Sequence, residues 1–297
     1  HGIRILIRRG IVQDIEPKGQ IISRLEHEKF AFKNSIHGIK LNKGHKNLYK
    51  IMIGILWSSV YRYYMFMTAS TWGTWMQEIH MEEILNFPIP KLSESQMANL
   101  SQLVDEILST QEKIDATISN LDSKSHLKEL EIRLDDLVYD AYELTDFERN
   151  LVKDRCLFEI DYFYHKEKGL ANQPTDIEFM DRYTDSFKKY WSKSLEVDEY
   201  FESQIMYSKD QSMLGVLFHL RSKQNHEAVE NRAKPTLEGF EALLKTEISR
   251  NFYADGLLRR VSEDTIFIVK RNLKGHWTQS EAFADAEATL LQAMIGN

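Results

Sequence analysis

The residues of this sequence best suited to a chemical task are basic and lie near its beginning. Residues 1–92 hold 13 Lys and Arg against 7 Asp and Glu, a net charge of +6, whereas the other residues hold 25 against 38, a net of −13. A basic segment within an acidic chain is typical of a part that binds a polyanion, although such clustering also arises by chance on a solvated face. The side chains predicted to contact such a ligand are Arg8, Arg9, Lys40, Lys43 and Lys46, together with Trp72 and Trp75.

The two tryptophans, Trp72 and Trp75, flank Gly73 in a short break between predicted helical segments. A tryptophan at such a position either stacks on a ring of a ligand or packs beneath its own loop. The sequence leaves both interpretations open.

Acidic residues that could serve a metal-dependent nuclease occur twice, as Asp161 with Glu167 and Lys168 and as Asp255 before a predicted hairpin. Pairs of an acid and a lysine are frequent by chance, so a nuclease within residues 175–297 is the least favoured interpretation. No histidine belongs to an i,i+4 ligand pair that has a third partner. The histidines considered are His165, His219, His226 and His276.

Cys156 is the sole cysteine, which excludes an intrachain disulfide and a cysteine zinc site and fits a reducing compartment. It lies in a predicted apolar helix without an evident base beside it, so we expect an inert thiol. We therefore predict no catalytic residue and no metal site in this chain.

The chain has no apolar run that approaches the roughly 18 residues needed to span a membrane. Arg4, Arg8 and Arg9 interrupt the short apolar run at the N-terminus, which is unlike a signal peptide. We therefore expect a cytoplasmic protein without membrane contact. Because the chain begins at His1 rather than at Met, we also expect a fragment of a larger protein.

Short strands and a helix must position the basic residues. Apolar runs bounded by turn residues predict strands at 3–7, 20–22 and 35–39, and a turn-rich connection rich in lysine follows. Residues 47–67 predict one helix, and residues 82–86 predict a helical turn that ends at Pro88 and Pro90 because neither proline fits inside a helix.

The clearest physical pattern follows these prolines. Ser93 and Gln96 form a capping box, and apolar residues then alternate at spacings of three and four. The apolar members of this seam are Met97, Leu100, Val104, Ile107, Ile114, Ile118 and Leu121, and Gln111 is its one polar member. It predicts a helix over 93–122, about 45 Å long, in a coiled coil. An ordinary core helix is the alternative, disfavoured because its apolar stripe is wider.

Further helices are predicted after a polar break at 122–125. One covers 127–141, and a third begins at the capping box of Thr145 and Glu148 and runs to His165. A second domain is predicted from about residue 171. Its elements are helices at 175–191, 197–205, 235–250 and 278–294, a strand at 213–218, and a hairpin of 257–261 with 265–269.

The predicted fold class is therefore α+β, with a mixed N-terminal recognition module (1–92), helical spacer (93–170) and small C-terminal α+β domain (171–297).

Several runs then point to a family. Five occur in order: NSIHGI (34–39), LYK (48–50), ILWSSVYRYY (55–64), STWG (70–73) and EILNFPIP (83–90). Together they resemble the end of the target-recognition domain in type I specificity subunits and in fused type II adenine DNA methyltransferases. The heptad helix is similar to the spacer helices of those proteins.

Two further runs carry the resemblance towards the C-terminus. Residues 134–148 resemble the L-D-x-x-V-Y-x-x-Y-x-L-T-x-x-E ending of the fused enzymes, with Glu143 where glycine or asparagine is commoner. Residues 270–286 are similar to the tail of some bacterial methyltransferases linked to restriction or phage defence, and no chemistry follows from that tail.

The resemblance implies that residues 1–92 bind double-stranded DNA and that the spacer positions a methyltransferase catalytic domain or subunit. Adenine methyl transfer requires a glycine-rich turn and an Asn/Asp-Pro-Pro-aromatic loop. The chain has no two glycines at G-x-G spacing and no Pro-Pro pair. We therefore expect the catalytic domain and its S-adenosylmethionine outside this chain, which holds no cofactor itself. A non-catalytic adaptor with a coiled-coil partner is the alternative.

Overall fold

The computed structural model describes residues 2–13, 18–28, 34–41, 46–72, 77–115, 121–222 and 257–295. The chain divides into two compact units, His1–Lys166 and Glu167–Asn297. Each unit combines helices with one small antiparallel sheet, so the predicted α+β fold class is confirmed. Within the described residues, no helix is both long and apolar enough to cross a membrane.

The first unit opens with a sheet in the order β2-β1-β3. Its strands are β1 (Arg4–Arg8), β2 (Ser23–Glu26) and β3 (Ile36–Ile39). Ile5 and Ile7 are fully buried, because alternate residues of β1 point into the core. The strands predicted at 3–7 and 35–39 are confirmed.

The strand predicted at 20–22 is wrong in position. Gln20 only bridges Val12, and β2 begins at Ser23. The register of β1 with β2 pairs Ile7 with Ser23 and Arg4 with Glu26, so the neighbouring strand rather than local apolarity decides which residues form β2.

The helix predicted over 47–67 is two helices, α1 (Lys46–Trp57) and α2 (Ser59–Thr68), divided at Ser58. The Ser58 hydroxyl donates to the Ile55 carbonyl at 2.7 Å and accepts from the Tyr61 N–H at 3.3 Å, so it caps the second helix. A short helix α3 (Met81–Leu85) confirms the turn predicted before the prolines.

The predicted heptad helix also differs from its expected bounds. It is α4 (Glu94–Asp115), and its capping box is confirmed by bonds of 2.9 and 3.2 Å between Ser93 and Gln96. The polar break predicted at 122–125 is wrong, because those residues lie inside α5 (Leu121–Ala141). Ile118 lies outside the described residues.

Helix α4 packs on α1 at Gly54, where a Cβ atom would stand 2.9 Å from Val104 Cγ2 and 3.2 Å from Leu100 Cδ1. Helix α5 runs antiparallel to α4, since Glu106 lies near both His126 and Arg133 while residues 99 and 140 line one groove. The buried stripe of α4 is wider than the predicted seam and also includes Ser101, Leu103 and Thr110. The helices after residue 92 thus share one core with the sheet.

The motif at 134–148 joins α5 to the start of α2. The Asp135 carboxylate accepts from the Ser59 N–H at 2.7 Å, and the Tyr139 hydroxyl lies 2.6 Å from the Ser59 hydroxyl. Tyr142 donates to the Pro88 carbonyl at 2.7 Å. The polar residues of this motif therefore act in the structure as connections between helices.

Glu143 ends α5 with φ of 55°, in the left-handed region. The Leu144 N–H returns to the Tyr139 carbonyl at 3.0 Å, and the Glu143 N–H bonds to the Asp140 carbonyl at 3.1 Å. This is the helix ending in which glycine or asparagine is preferred, because glycine has no Cβ atom and the short side chain of asparagine can hydrogen-bond locally.

The predicted third helix is confirmed as a continuous run. It comprises α6 (Asp146–Asp154), one π-helical turn (Arg155–Glu159) and α7 (Ile160–His165). Thr145 and Glu148 form the predicted capping box.

In its described residues, the second unit is a four-stranded antiparallel sheet, ordered β4-β5-β7-β6, with two α-helices. These elements are α8 (Ile177–Trp191), β4 (Glu199–Tyr207), β5 (Met213–Ser222), β6 (Leu257–Val261), β7 (Thr265–Arg271) and α9 (Gln279–Ile295). The predicted hairpin, strand and terminal helix are confirmed. The helix predicted at 235–250 lies outside the described residues.

The helix predicted at 197–205 is wrong, because residues 199–205 belong to β4 and the two before them form a turn. Phe201 and Ile205 pack into the core beside α8, while Met206 joins a cluster on the other sheet face. This is the two-residue alternation of a strand. The main core lies between the sheet and the helices, where the Phe187 and Phe218 rings stack with centroids 3.9 Å apart.

Candidate nucleic-acid interface

One face of the N-terminal sheet points away from the core and is basic. Directly paired residues of an antiparallel sheet share a face, and the register pairs Arg8 with Ile36, Leu6 with Arg24 and Arg4 with Glu26. Since Ile5 and Ile7 face the core, these residues lie on the opposite face, which we call the outer face. Leu6 also belongs to it and is buried.

Lys40 adds a fourth cation to this surface. It directly follows Ile39, the last residue of β3, which pairs with Ile5, and it is exposed. The outer face therefore carries Arg4, Arg8, Arg24 and Lys40 against one carboxylate, Glu26. Arg4 and Arg8 stand four residues apart, about 13 Å along the strand.

Glu26 is held in place by the backbone. Its Oε1 accepts from the N–H groups of His27 at 2.9 Å and Glu28 at 3.0 Å, and its Oε2 accepts from Arg24 Nη2 at 3.1 Å. The bond from the Glu28 N–H, then that from His27 and the charge of Arg24, lower the pKa of Glu26 below its usual range. The side chain of Arg24 is 65% exposed.

Lys46 lies at the end of the sheet that carries Lys40. It is the exposed first residue of α1, and Tyr49 in the same helical turn accepts through its hydroxyl from the Leu41 N–H at 2.9 Å. This bond ties α1 to the residue that follows Lys40, while Arg8 lies at the opposite end of β1.

Arg9 does not join the outer face. It follows β1, and its Nε lies 2.7 Å from Glu78 Oε2, with both side chains 24% exposed. The Arg9 carbonyl accepts from the Ile79 N–H at 2.9 Å, which fixes this segment against residues 77–79. Its charge is neutralised within the fold.

Trp72 is 7% exposed, and its ring packs edge-on against Phe66 with centroids 5.4 Å apart. It also lies beside Gly19, where a Cβ atom would stand 3.2 Å from Trp72 Cζ2. This burial favours the packing interpretation over stacking on a ligand. Lys43 and Trp75 lie outside the described residues.

Sequence reasoning did not select Arg4 and Arg24. The sequence could have indicated Arg4, because it precedes Arg8 by four residues and an even spacing within one strand puts both side chains on one face. It could not have indicated Arg24, because its strand was predicted three residues too early and only the register with β1 sets its direction.

The candidate catalytic groups are engaged in structural contacts or lie outside the described residues. Asp161 is bonded to His165 Nδ1 at 2.8 Å, and Asp255 and His226 lie outside the described residues. Burial raises the pKa of Cys156 to about 12, so its thiol is protonated at neutral pH. Among the described residues, no three His, Cys, Asp or Glu side chains form a group that could hold a metal ion.

A second charged cluster is buried in the C-terminal unit. Asp285 is fully buried and lies 2.5 Å from Lys270 Nζ, 2.6 Å from Arg259 Nη2 and 2.6 Å from the Tyr183 hydroxyl. Lys270 is 3% exposed and lies 3.3 Å from Glu281. Two cations meet two carboxylates here, so the cluster ties α9 to the sheet and to α8.

Comparison of the chain with protein-family models, with curated proteins and with solved structures found no match.

Proposed function

We propose that this chain is the DNA-recognition portion of a restriction–modification or phage-defence adenine methyltransferase. The outer face of its N-terminal sheet would bind double-stranded DNA. Methyl transfer would belong to a catalytic domain or subunit that binds S-adenosylmethionine, since the chain lacks the glycine and proline patterns of that chemistry.

The observation that carries the proposal is the charge of the outer face. Four basic side chains, three on β1 and β2 and one directly after β3, stand on one surface, where the described strands carry one carboxylate. Arg8 and Lys40 are exposed and show no ion pair among the described residues. Such a surface supplies phosphate contacts that position a duplex without reading its sequence. The family resemblance supplies the class of DNA-binding protein.

The test is duplex binding measured by fluorescence anisotropy at several salt concentrations. The wild-type chain should bind with affinity that falls steeply as salt rises. The double variant Arg8→Gln/Lys40→Gln should lower the slope of log K against log salt by about 0.9 for each phosphate that the variant no longer neutralises.

The matched control is Lys193→Gln/Arg260→Gln, which removes the same charge from exposed positions of the C-terminal unit. It should leave the salt slope unchanged. Absence of binding by the wild-type chain at low salt, or an equal decrease in the control, would refute DNA binding by the outer face.

An adaptor is the second candidate, favoured by apolar side chains exposed on α5. Leu121 is 82% exposed and Ile132 is 61% exposed. In this version the α4 and α5 helices pair with a coiled-coil partner. Sedimentation of the chain alone and after Ile132→Glu separates the candidates, because only the adaptor predicts association that this substitution removes.

A further inference from the structure

We infer that Arg24 is the side chain of the outer face that reads a guanine and that Glu26 positions it. This inference rests on the proposed duplex binding and adds to it a specificity determinant. It starts from an anomaly of the surface. Glu26 is the last residue of an edge strand and borders the basic patch. A carboxylate there repels phosphates, so attraction of a duplex does not explain it.

Glu26 is fixed before any ligand arrives. Two backbone N–H groups hold its Oε1 at 2.9 and 3.0 Å, which leaves Oε2 for Arg24 at 3.1 Å. The Glu26 side chain is 18% exposed, against 65% for Arg24, so it is the less accessible of the two. The carboxylate therefore acts as a rigid support rather than as a ligand-binding group.

Arg24 in turn is presented with a set orientation. A guanidinium has five N–H donors in a planar fork, and the contact with Glu26 uses only one side of it. The remaining donors belong to a side chain that is 65% exposed. A planar pair of donors matches O6 and N7 of guanine in the major groove, which is the commonest specific contact of arginine with a base.

Two other cations of the outer face, Arg8 and Lys40, show no such support among the described residues. Arg8 is exposed and has no carboxylate partner among the described residues, and Lys40 presents a single ammonium group that suits a phosphate. The outer face thus carries two kinds of cation. Arg8 and Lys40 suit phosphates, and the oriented guanidinium of Arg24 suits a base. Glu26 is a positioning residue, because it acts through Arg24.

The experiment is selection of preferred duplexes from a randomised pool by the full chain, followed by anisotropy on the selected site and on the same site with its guanine replaced. Arg24→Gln should lower the discrimination at one guanine by about 5- to 150-fold, the range of one bidentate contact. Arg8→Gln should weaken binding to both duplexes alike.

Glu26→Gln separates positioning from charge. Its amide oxygen can still accept from the backbone, but the neutral side chain releases Arg24. We expect weaker discrimination at the same guanine together with tighter binding of random duplex and a salt slope steeper by up to about 0.9, because Arg24 becomes free to bind a phosphate.

Arg133→Gln is the matched control. Arg133 is 61% exposed and also lies beside a glutamate, with 3.6 Å between its Nη1 and Glu106 Oε2, but it belongs to α5. It should change neither sequence preference nor salt slope. Circular dichroism melts confirm that each variant is folded.

Four results would overturn the inference. Salt-dependent binding without any preferred sequence would remove base reading by Arg24 while leaving duplex binding intact. Unchanged discrimination at the guanine in Arg24→Gln would show that Arg24 does not read the base. Unchanged discrimination in Glu26→Gln would show that Glu26 does not position Arg24. Absence of duplex binding by the wild-type chain would remove the proposed function and this inference together.

Discussion

The two sheets of this molecule treat their basic residues in opposite ways. In the C-terminal unit, Lys270 is 3% exposed and meets Asp285 and Glu281 within the fold. In the N-terminal unit, Arg8 on β1 and Lys40 directly after β3 are exposed, and the strands of this sheet carry one carboxylate, Glu26. Charge is therefore neutralised where it is buried and left in excess where it faces solvent.

This difference separates stability from function. A buried charge must be paired, because an isolated one costs several kcal/mol, so removing Asp285 alone would leave Lys270 and Arg259 uncompensated. An exposed excess of like charge gives no folding benefit and attracts an opposite charge from outside. The comparison predicts that charge removal will affect folding in one sheet and ligand binding in the other.

The largest effect is expected for Asp285→Ala, which leaves Lys270 and Arg259 without their shared carboxylate. The C-terminal unit should lose about 3 to 5 kcal/mol of stability. Urea denaturation followed by hydrogen exchange over residues 257–295 measures the loss. Glu281→Gln removes the half-exposed carboxylate from the same lysine and should cost less than about 1 kcal/mol. Similar losses of stability in both variants would contradict the idea that the buried carboxylate matters more than the half-exposed one.

A smaller loss is expected where the N-terminal unit depends on close packing rather than on charge. Gly54→Val places new methyl groups against Val104 and should destabilise this unit by about 2 kcal/mol. The control is Asn47→Val, at an exposed position of the same helix. A denaturant midpoint for Gly54→Val equal to that of the control would show that the contact of α1 with α4 is loose.

Glu143→Gly should stabilise the N-terminal unit by about 0.5 to 1 kcal/mol. Glycine removes a left-handed strain of about 1 to 2 kcal/mol, and part of the gain is offset by its greater freedom in the unfolded chain. Thermal melting measures the gain, with Glu143→Gln as the control that removes only the charge. A gain shared by Glu143→Gln would assign the effect to charge instead.

The smallest change in stability is expected for Arg8→Gln/Lys40→Gln. Exposed substitutions of this kind alter stability by less than about 0.5 kcal/mol, although the same variant should lose duplex binding. Melting and anisotropy on one preparation test both statements. A clear fall in melting temperature would mean that these cations stabilise the fold, and the contrast between the two sheets would disappear.

Patterns confined to a few neighbouring residues were predicted well. The capping boxes at Ser93 and Thr145 form as expected, since each involves backbone and side chains only three positions apart. The strand at residues 3–7 and the terminal hairpin also follow from local alternation. The prediction of a helix at 197–205 was wrong because it used local apolar spacing alone. In the structure, pairing with β5 makes residues 199–205 part of a strand.

The sequence by itself determined that the segment before residue 93 has a net positive charge, that short strands and a helix carry its basic residues, and that the methyl-transfer patterns are absent. Only the tertiary structure decided which of these residues share a surface. Arg8 and Arg9 are neighbours of one type, yet Arg8 is exposed on the outer face and Arg9 is paired with Glu78. Side chains alternate along a strand, and the partner that neutralises one of them lies 69 residues away, so the fold must form before their roles differ.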